Sequence, residues 1–419
     1  MTGAAAGRRR VAITGLGVKS PAGLTVAETM AALHAAVGRA ALVPALADET
    51  LPVRFACTVA EFDHTPYFTV RESRQLDRTA QLALAAAMDA VADSFPGAGP
   101  LDYGVDADRI GVAVGTGVGA TASTESAVKA HIDRPASVPA FTVPRLMANS
   151  PAGRIGIRLG ARGPALTYST ACASGATAIG EAARKIQHGE LDLAIAGGAD
   201  APVAPMLVTS FARMGALSCR NDSPAEASRP FDSQRDGFVM GEGAAFLILE
   251  RLDLALARGA RVYGELTGYG STSDAYHIVI PQPDGEGAAR CMRAALADAR
   301  LDPADIGHIN AHGTATVRND RAEAVALRAC FGPDTPPVTA SKGVVGHMVG
   351  AAGAFEAAVA LVSAGEGRVP PVANFVKPDL DEPVNVVAGE PLCIPPAPVL
   401  SNSFGFGGHN VSLVLVPHA

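Results

Sequence analysis

Apolar positions along this chain come in short runs closed by glycine: 10–18 (RVAITGLGV), 109–117 (RIGVAVGTG), 192–200 (DLAIAGGAD), 243–250 (GAAFLILE), 308–313 (HINAHG) and 410–416 (NVSLVLV). Runs of this length and bounding read as buried strands. Between them lie alanine-rich stretches with a helical look, 79–92, 173–187, 287–299, 321–330 and 353–364. Strands alternating with helices predict an α/β layered architecture, with helices covering sheets.

One internal similarity refines that picture. The segment 172–190 (CASGATAIGEAARKIQHGE) resembles 347–366 (HMVGAAGAFEAAVALVSAGE). Each opens on a reactive side chain, has glycine close behind, continues in small residues and ends in GE. A duplication would leave this trace: two related α/β halves, each presenting a catalytic group at a helix start. The halves are expected to divide in the polar stretch 252–261, giving units 1–255 and 256–419. No low-complexity linker separates them, so they are expected to pack as one body.

Composition narrows the function classes. With 419 residues, 48% of them hydrophobic, the chain can bury a large core and is no disordered segment. A net charge of −7 gives no bulk attraction for nucleic acid. No apolar stretch runs clean for about 18–20 residues, so no membrane span is expected. The N-terminus has a basic cluster but no apolar leader run. Six scattered cysteines, at 57, 172, 219, 291, 330 and 393, form no CxxC pair. Neither a zinc site nor a disulfide framework is suggested, and a reducing cytoplasm is the expected setting.

Four constellations carry chemistry. Cys172 sits among small residues where a helical pattern begins (YSTACASGATAIG). A helix N-terminus favours thiolate, which predicts a lowered cysteine pKa. A buried structural thiol is the commoner fate of a free cysteine, and the residues alone leave both readings open. His312, in NAHGTAT, falls where a strand ends, a place where active-site groups of α/β proteins collect, or is a simple turn histidine. Lys342 and His347 lie five apart in SKGVVGHMVGAAG, with glycines allowing close backbone approach. NSFGFGGHN (402–410) reads as a mobile apolar flap or as a plain hairpin.

Together and in this order, TACASG, NAHGT, SKxxxGH and NSFGFGG resemble the β-ketoacyl-[acyl carrier protein] synthases, most nearly the elongating synthase II type. The resemblance covers nearly the whole chain, with further matching blocks at 10–23, 220–244 and 274–287. It implies the thiolase fold, a five-layer αβαβα sandwich of two duplicated halves, usually dimeric. It implies that Cys172 takes an acyl group, that His312 and His347 stabilise the enolate left by decarboxylation, and that Lys342 is structural and electrostatic. Asp320, Glu323 and Glu356 are the candidate acids for Lys342. By the same resemblance, Thr314 and Thr316 line the malonyl side, Val118 meets the acyl chain, and Phe404 and Phe406 form the flap, with Phe406 as gate and as an oxyanion donor. Arg71 and Arg74, in VRESRQLDR, match a basic patch that docks an acidic carrier protein. No metal or other cofactor is implied beyond the carrier's phosphopantetheine arm. The partners implied are the acyl carrier protein and a second subunit, a copy of this chain or a chain-length factor.

The chain departs from the pattern in two places. Val317 and Arg318 follow the second threonine where proline is common, which predicts a differently shaped loop. His409 stands where threonine is common. Related classes fit less well. A degradative thiolase needs a second cysteine near the C-terminus, and none follows Cys393. A chain-length factor lacks the nucleophilic cysteine.

Overall fold

The computed structural model describes residues 8–60, 62–379 and 383–418. The expectation about the N-terminus falls mostly on residues 1–7, which lie outside the described residues. Ten strands build one sheet. Its first half comprises β1 (Val11–Lys19), β2 (Ile110–Gly115), β3 (Ala165–Tyr168), β4 (Leu193–Asp200) and β5 (Gly243–Arg251). Its second half comprises β6 (Gly264–Ser273), β7 (His308–Asn310), β8 (Val338–Thr339), β9 (Val399–Gly405) and β10 (His409–Pro417).

The spatial order is β8-β7-β9-β10-β6-β1-β5-β4-β2-β3. Read outward from the joint it is 1-5-4-2-3 on one side and 6-10-9-7-8 on the other, the same topology twice. Directions repeat too: β3, β2 and β4 run parallel, as do β8, β7 and β9, while β5 and β10 run antiparallel to their neighbours. The halves meet along β1 and β6 through only two register pairs, Ala12↔Glu265 and Ile13↔Gly264.

Six helices cover this sheet: α1 (Arg78–Ser94), α2 (Ser150–Leu159), α3 (Ser174–Gln187), α4 (Glu286–Ala299), α5 (Val317–Phe331) and α6 (Ala352–Glu366). Helix α1 packs outside β1, β4 and β5, and α4 outside β6 and β10. Between the two halves lie α3 and α6, touching each other and strands of both. The order α, β, α, β, α is the five-layer thiolase sandwich.

Alanine and glycine dominate the middle layer because two helices share one thin slot. A Cβ on Gly175 would lie 2.7 Å from Gly350 O, and one on Gly353 2.9 Å from Ala176 Cβ. Only small residues let the backbones approach so closely. By length and composition 349–366 could cross a membrane, yet 83% of that stretch is buried inside the protein, where it serves as the central core helix.

The duplication is present, but its register differs from the sequence reading. A 3-10 turn, Ala171–Ala173, leads into α3, and another, Val349–Ala351, leads into α6. Ala171 and Val349, each the first residue of its turn, take φ of 50° and 48°, an uncommon conformation for residues with a Cβ. The counterpart of Cys172 is therefore Gly350, and His347 lies ahead of the turn rather than at the helix start. Ala-rich helices slide past each other in a sequence comparison, whereas the paired turns fix the alignment.

Candidate active site

The first half delivers the thiol. Cys172 stands in the strained turn before α3 and is half-buried. The backbone N–H groups of Phe406 and of Cys172 itself reach its sulfur and favour thiolate, as does Lys342. Burial outweighs them and pushes the thiol up to about 12, with Asp200 adding to the rise. The expectation of a lowered pKa is thus corrected: the helix start is there, but loss of water around the sulfur costs the anion more than the turn returns. A thiol held neutral needs its proton taken as it attacks.

The second half delivers the imidazoles. His312 follows β7 by two residues, at a strand end as expected. Glu323, from α5, accepts its backbone N–H and that of Gly313 at 2.8 Å each, pinning the turn. His347 is set by backbone bonds on both sides, donating to Val239 O at 2.7 Å and accepting from Gly241 at 2.9 Å. The two rings meet edge to face with centroids 5.5 Å apart, between Phe238 on one side and Phe404 on the other. Cys172 Sγ and one nitrogen from each ring all lie within 4.8 Å of one another.

Burial holds both imidazoles neutral, well below the usual histidine range, and the charge of Lys342 adds to this. Lys342 also settles the tautomer of His312. An ammonium can only donate, and its Nζ lies 3.3 Å from Nδ1 and 2.5 Å from His312 O. Nδ1 therefore accepts and Nε2 carries the proton. This bears on metal binding, for which the donor set otherwise qualifies: a protonated Nε2 is a hydrogen-bond donor and no ligand. Both ring nitrogens of His347 are buried without a protein partner, which leaves them for a substrate atom.

Among the three candidate acids the structure discriminates. Glu356 pairs with Lys342, both 1% exposed. Its carboxyl is pushed up to about 7, as is that of Glu323, burial being the largest cause in each. Glu323 holds the His312 backbone instead. Asp320 accepts from Phe231 N at 2.8 Å and Ala315 N at 3.2 Å and faces Arg235, so it braces the next turn.

Thr314 and Thr316 bond through their hydroxyls at 3.0 Å. Thr316 caps α5, accepting from Asn319 N at 3.3 Å. Val317 is the first helical residue, where a free N–H is normal. Val317 and Arg318 therefore open an ordinary capped helix.

The flap is a hairpin tip between β9 and β10, the plainer of the two readings in form. A Cβ on Gly405 would sit 2.7 Å from Thr170 O and 3.1 Å from Cys172 N, so only glycine lets the tip lie on the nucleophile's turn. Gly407 and Gly408 take φ of 86° and 73°. The two phenylalanines part company here: Phe404 is buried in a core cluster, while Phe406 is half-buried with its ring 6.1 Å from Phe211. Val118 is half-buried and packs against another core cluster, as does Phe211. Arg71 and Arg74 are exposed, and among the described residues neither makes an ion pair. Their acidic neighbours are engaged elsewhere: Glu72 binds Arg158 and Asp77 caps α1.

One residue escaped the sequence reading. Asp200, fully buried at the end of β4, accepts from Thr116 Oγ1 at 2.6 Å, Gly117 N at 2.7 Å, Gly350 N at 2.6 Å and Val118 N at 3.4 Å. The only sequence signal was an acid closing an apolar strand.

A thiol and two imidazoles converging where the halves of a five-layer sandwich meet mark the thiolase-fold acyltransferases, and this enzyme is one. Known proteins narrow the class. The beta-ketoacyl synthase N-terminal domain matches residues 8–255 and the beta-ketoacyl synthase C-terminal domain residues 263–376. The 3-oxoacyl-[acyl-carrier-protein] synthase 2 of Synechocystis sp. is 40% identical over 409 residues, 97% of each chain. The solved ishigamide ketosynthase/chain length factor is 34% identical with a TM-score of 0.92, covering 98% of this chain and 100% of its own. A type II PKS acyl-carrier protein in complex with its ketosynthase bound to the hexaketide gives 30% identity and a TM-score of 0.90 over 98% and 100%. This chain belongs to the beta-ketoacyl synthase family.

Proposed function

We propose that the enzyme elongates acyl chains by decarboxylative condensation, with Cys172 as acyl acceptor and His312 and His347 as enolate stabilisers. One observation carries the reading: the thiol and two neutral imidazoles converge within 4.8 Å, with free N–H capacity on the imidazoles and backbone N–H groups at the sulfur.

Cys172 Sγ attacks the thioester of an acyl carrier protein. The arm's sulfur departs with the proton that the thiol gives up, and the acyl group stays on Cys172. Malonyl carrier protein binds second. Its carboxylate leaves as CO2, and the electron pair of the broken bond passes to the thioester as an enolate. Its oxygen takes N–H bonds from His312 Nε2 and His347, donors fixed in place before the charge appears. The enolate carbon attacks the Cys172 thioester, and the N–H groups of Cys172 and Phe406 hold the resulting oxyanion. When the C–S bond breaks, Cys172 leaves as thiolate and is reprotonated. No cofactor is needed beyond the carrier's arm, and the cytoplasm is the setting.

The chain's halves divide near residue 255, in the short connection between β5 and β6. For assembly we take a second copy of this chain. Strand β3 pairs on one side only, and around it Ile157 (81% exposed), Val143 (69%) and Leu166 (40%) lie open. The ketosynthase/chain length factor structure supports a pairing of this kind, with a chain-length factor as the alternative partner.

The pathway reading, fatty acid or type II polyketide synthesis, rests on the relatives' names. Intact-mass analysis after incubation with acyl carrier proteins of both kinds tests it, the carrier that loads the enzyme naming the pathway. Arg71 and Arg74 enter the same experiment. Changing both to Glu should lower carrier-dependent loading several-fold by slowing encounter, and raised salt should mimic the change. Unchanged loading removes this surface from the docking site.

Phe406 is proposed as the gate over the sulfur. Phe404→Ala should cost about 3–5 kcal/mol as a buried ring. Phe406→Ala should leave the thermal midpoint nearly intact and shorten the acyl-enzyme lifetime, because water reaches the thioester. A large stability loss with normal lifetime in Phe406→Ala would assign it to the core.

A further inference from the structure

The nest that Asp200 fills is the second half's counterpart of the one around Cys172. Gly350 N occupies in the turn before α6 the place that Cys172 N occupies in the turn before α3. The first N–H points at a sulfur, the second at a carboxylate oxygen 2.6 Å away. That carboxylate also gathers Thr116, Gly117 and Val118, so it ties a loop of the first half to the turn behind His347. The packing leaves no slack. A Cβ on Gly117 would lie 2.6 Å from Val349 Cγ1 and 3.1 Å from Ala171 O, and one on Gly350 2.4 Å from Gly117 N. Two backbone segments thus bond to Asp200, and the nucleophile's turn rests on one of them, where Ala171 O faces Gly117 and Ser174 Oγ donates to Thr116 O at 3.3 Å.

We propose that Asp200 is a positioning residue for Cys172, binding the corner of both halves together and setting a fixed negative charge that the sulfur feels. The proposal rests on Cys172 being the nucleophile, but the test below reads the sulfur directly and needs no substrate.

The charged and titratable groups around Cys172 are Asp200, Lys342, His312 and His347, with Glu356 behind Lys342 and Glu323 behind His312, both carboxyls pushed up to about 7. The imidazoles are neutral, so Asp200 and Lys342 are the opposing charges. Asp200 opposes the thiolate and Lys342 favours it. Burial pushes the Asp200 carboxyl up to about 6 while its four donors pull it down, so it is ionised above neutrality. A thiol kept protonated resists stray alkylation and oxidation until a thioester arrives, because the thiolate is the reactive form. The carboxylate at this corner therefore restrains the nucleophile while its hydrogen bonds hold the nucleophile's surroundings still.

The probe is iodoacetamide, with alkylation measured at the Cys172 peptide by mass spectrometry across pH 7–9. Asp200→Asn removes the charge with little change of shape. Its rate profile should move to lower pH by about one unit, making alkylation roughly tenfold faster at a given pH. Thr116→Val removes the hydroxyl donor, so the carboxylate holds its charge less well. Its displacement should run the same way and be smaller, largest at pH 7. Ser174→Ala loosens the same corner, where Ser174 Oγ donates to Ala171 O at 2.6 Å, without touching any charge, and should leave the profile in place. Mapping the acyl adduct separately tests whether Cys172 is the nucleophile at all. An unmoved profile in folded Asp200→Asn overturns the proposal. Should that variant not fold, an unmoved profile in Thr116→Val overturns it equally. The same shift in Ser174→Ala would assign the effect to loosening and overturn it too.

Discussion

Cys172→Ala should abolish condensation, by about 10⁴-fold or more, since removing a covalent nucleophile removes the whole two-step route. Decarboxylation of malonyl carrier protein should survive in the same variant, because the proposed donors for the enolate are His312 and His347. The competing thiols are distinguishable by position: Cys219 and Cys393 are exposed, whereas Cys57 is buried. An acyl thioester incubated with the wild-type protein should leave its adduct on the Cys172 peptide. Exposure alone would favour Cys219 or Cys393, so preferential labelling of either would refute the mechanism. A high thiol pKa is no objection to this role. The N–H groups of Cys172 and Phe406 aim at the place where charge develops, and a preorganised site rewards the transition state over the resting anion.

His312→Ala and His347→Ala should each lower CO2 release by about 10²–10³-fold, the usual cost of one fixed oxyanion donor. Acylation of Cys172 should fall far less. The pH dependence has a definite sign. Both imidazoles are held neutral well below the usual histidine range, so neither gains a proton as pH falls from about 8 to 6.5. Decarboxylation should therefore show no histidine inflection over that window, and any inflection there belongs to Glu323 or Glu356, whose carboxyls are pushed up to about 7. Loss of acylation with intact CO2 release in either variant would reverse the assigned roles. His312 carries a second check. Lys342→Met removes the donor that fixes its tautomer, leaves Glu356 buried without its cation, and so should damage stability as well as rate. The two alanine variants, by contrast, should stay folded.

The strand and helix pattern was largely legible because it depends on local runs. The stretches 79–92 and 287–299 became α1 and α4 within two residues at each end. The strands that escaped have physical reasons. β9 is VLSNSFG, with Ser401, Asn402 and Ser403 all buried. It hides polar side chains, of which Asn402 accepts through Oδ1 from Ser412 Oγ at 2.8 Å while the Ser403 hydroxyl has no partner among the described residues. β6, GELTGYGSTS, is glycine-rich so that α4 can lie close. Neither composition announces a strand, since what stabilises each is a neighbour distant in sequence.

The sequence by itself determined the reactive side chains, the family pattern and the doubled α/β plan, because these are properties of residue type and local order. Only the tertiary structure decided the rest. It paired Lys342 with Glu356 and gave Glu323 and Asp320 to backbone turns. It aligned Gly350, not His347, with Cys172, and exposed Asp200 as the tie between halves. It also turned the thiol's expected depression into a rise. Each of these rests on burial or on contacts between segments a hundred or more residues apart, or on which of several near acids a cation reaches. Desolvation and long-range proximity exist only once the chain is packed, so no reading of the unfolded string could weigh them.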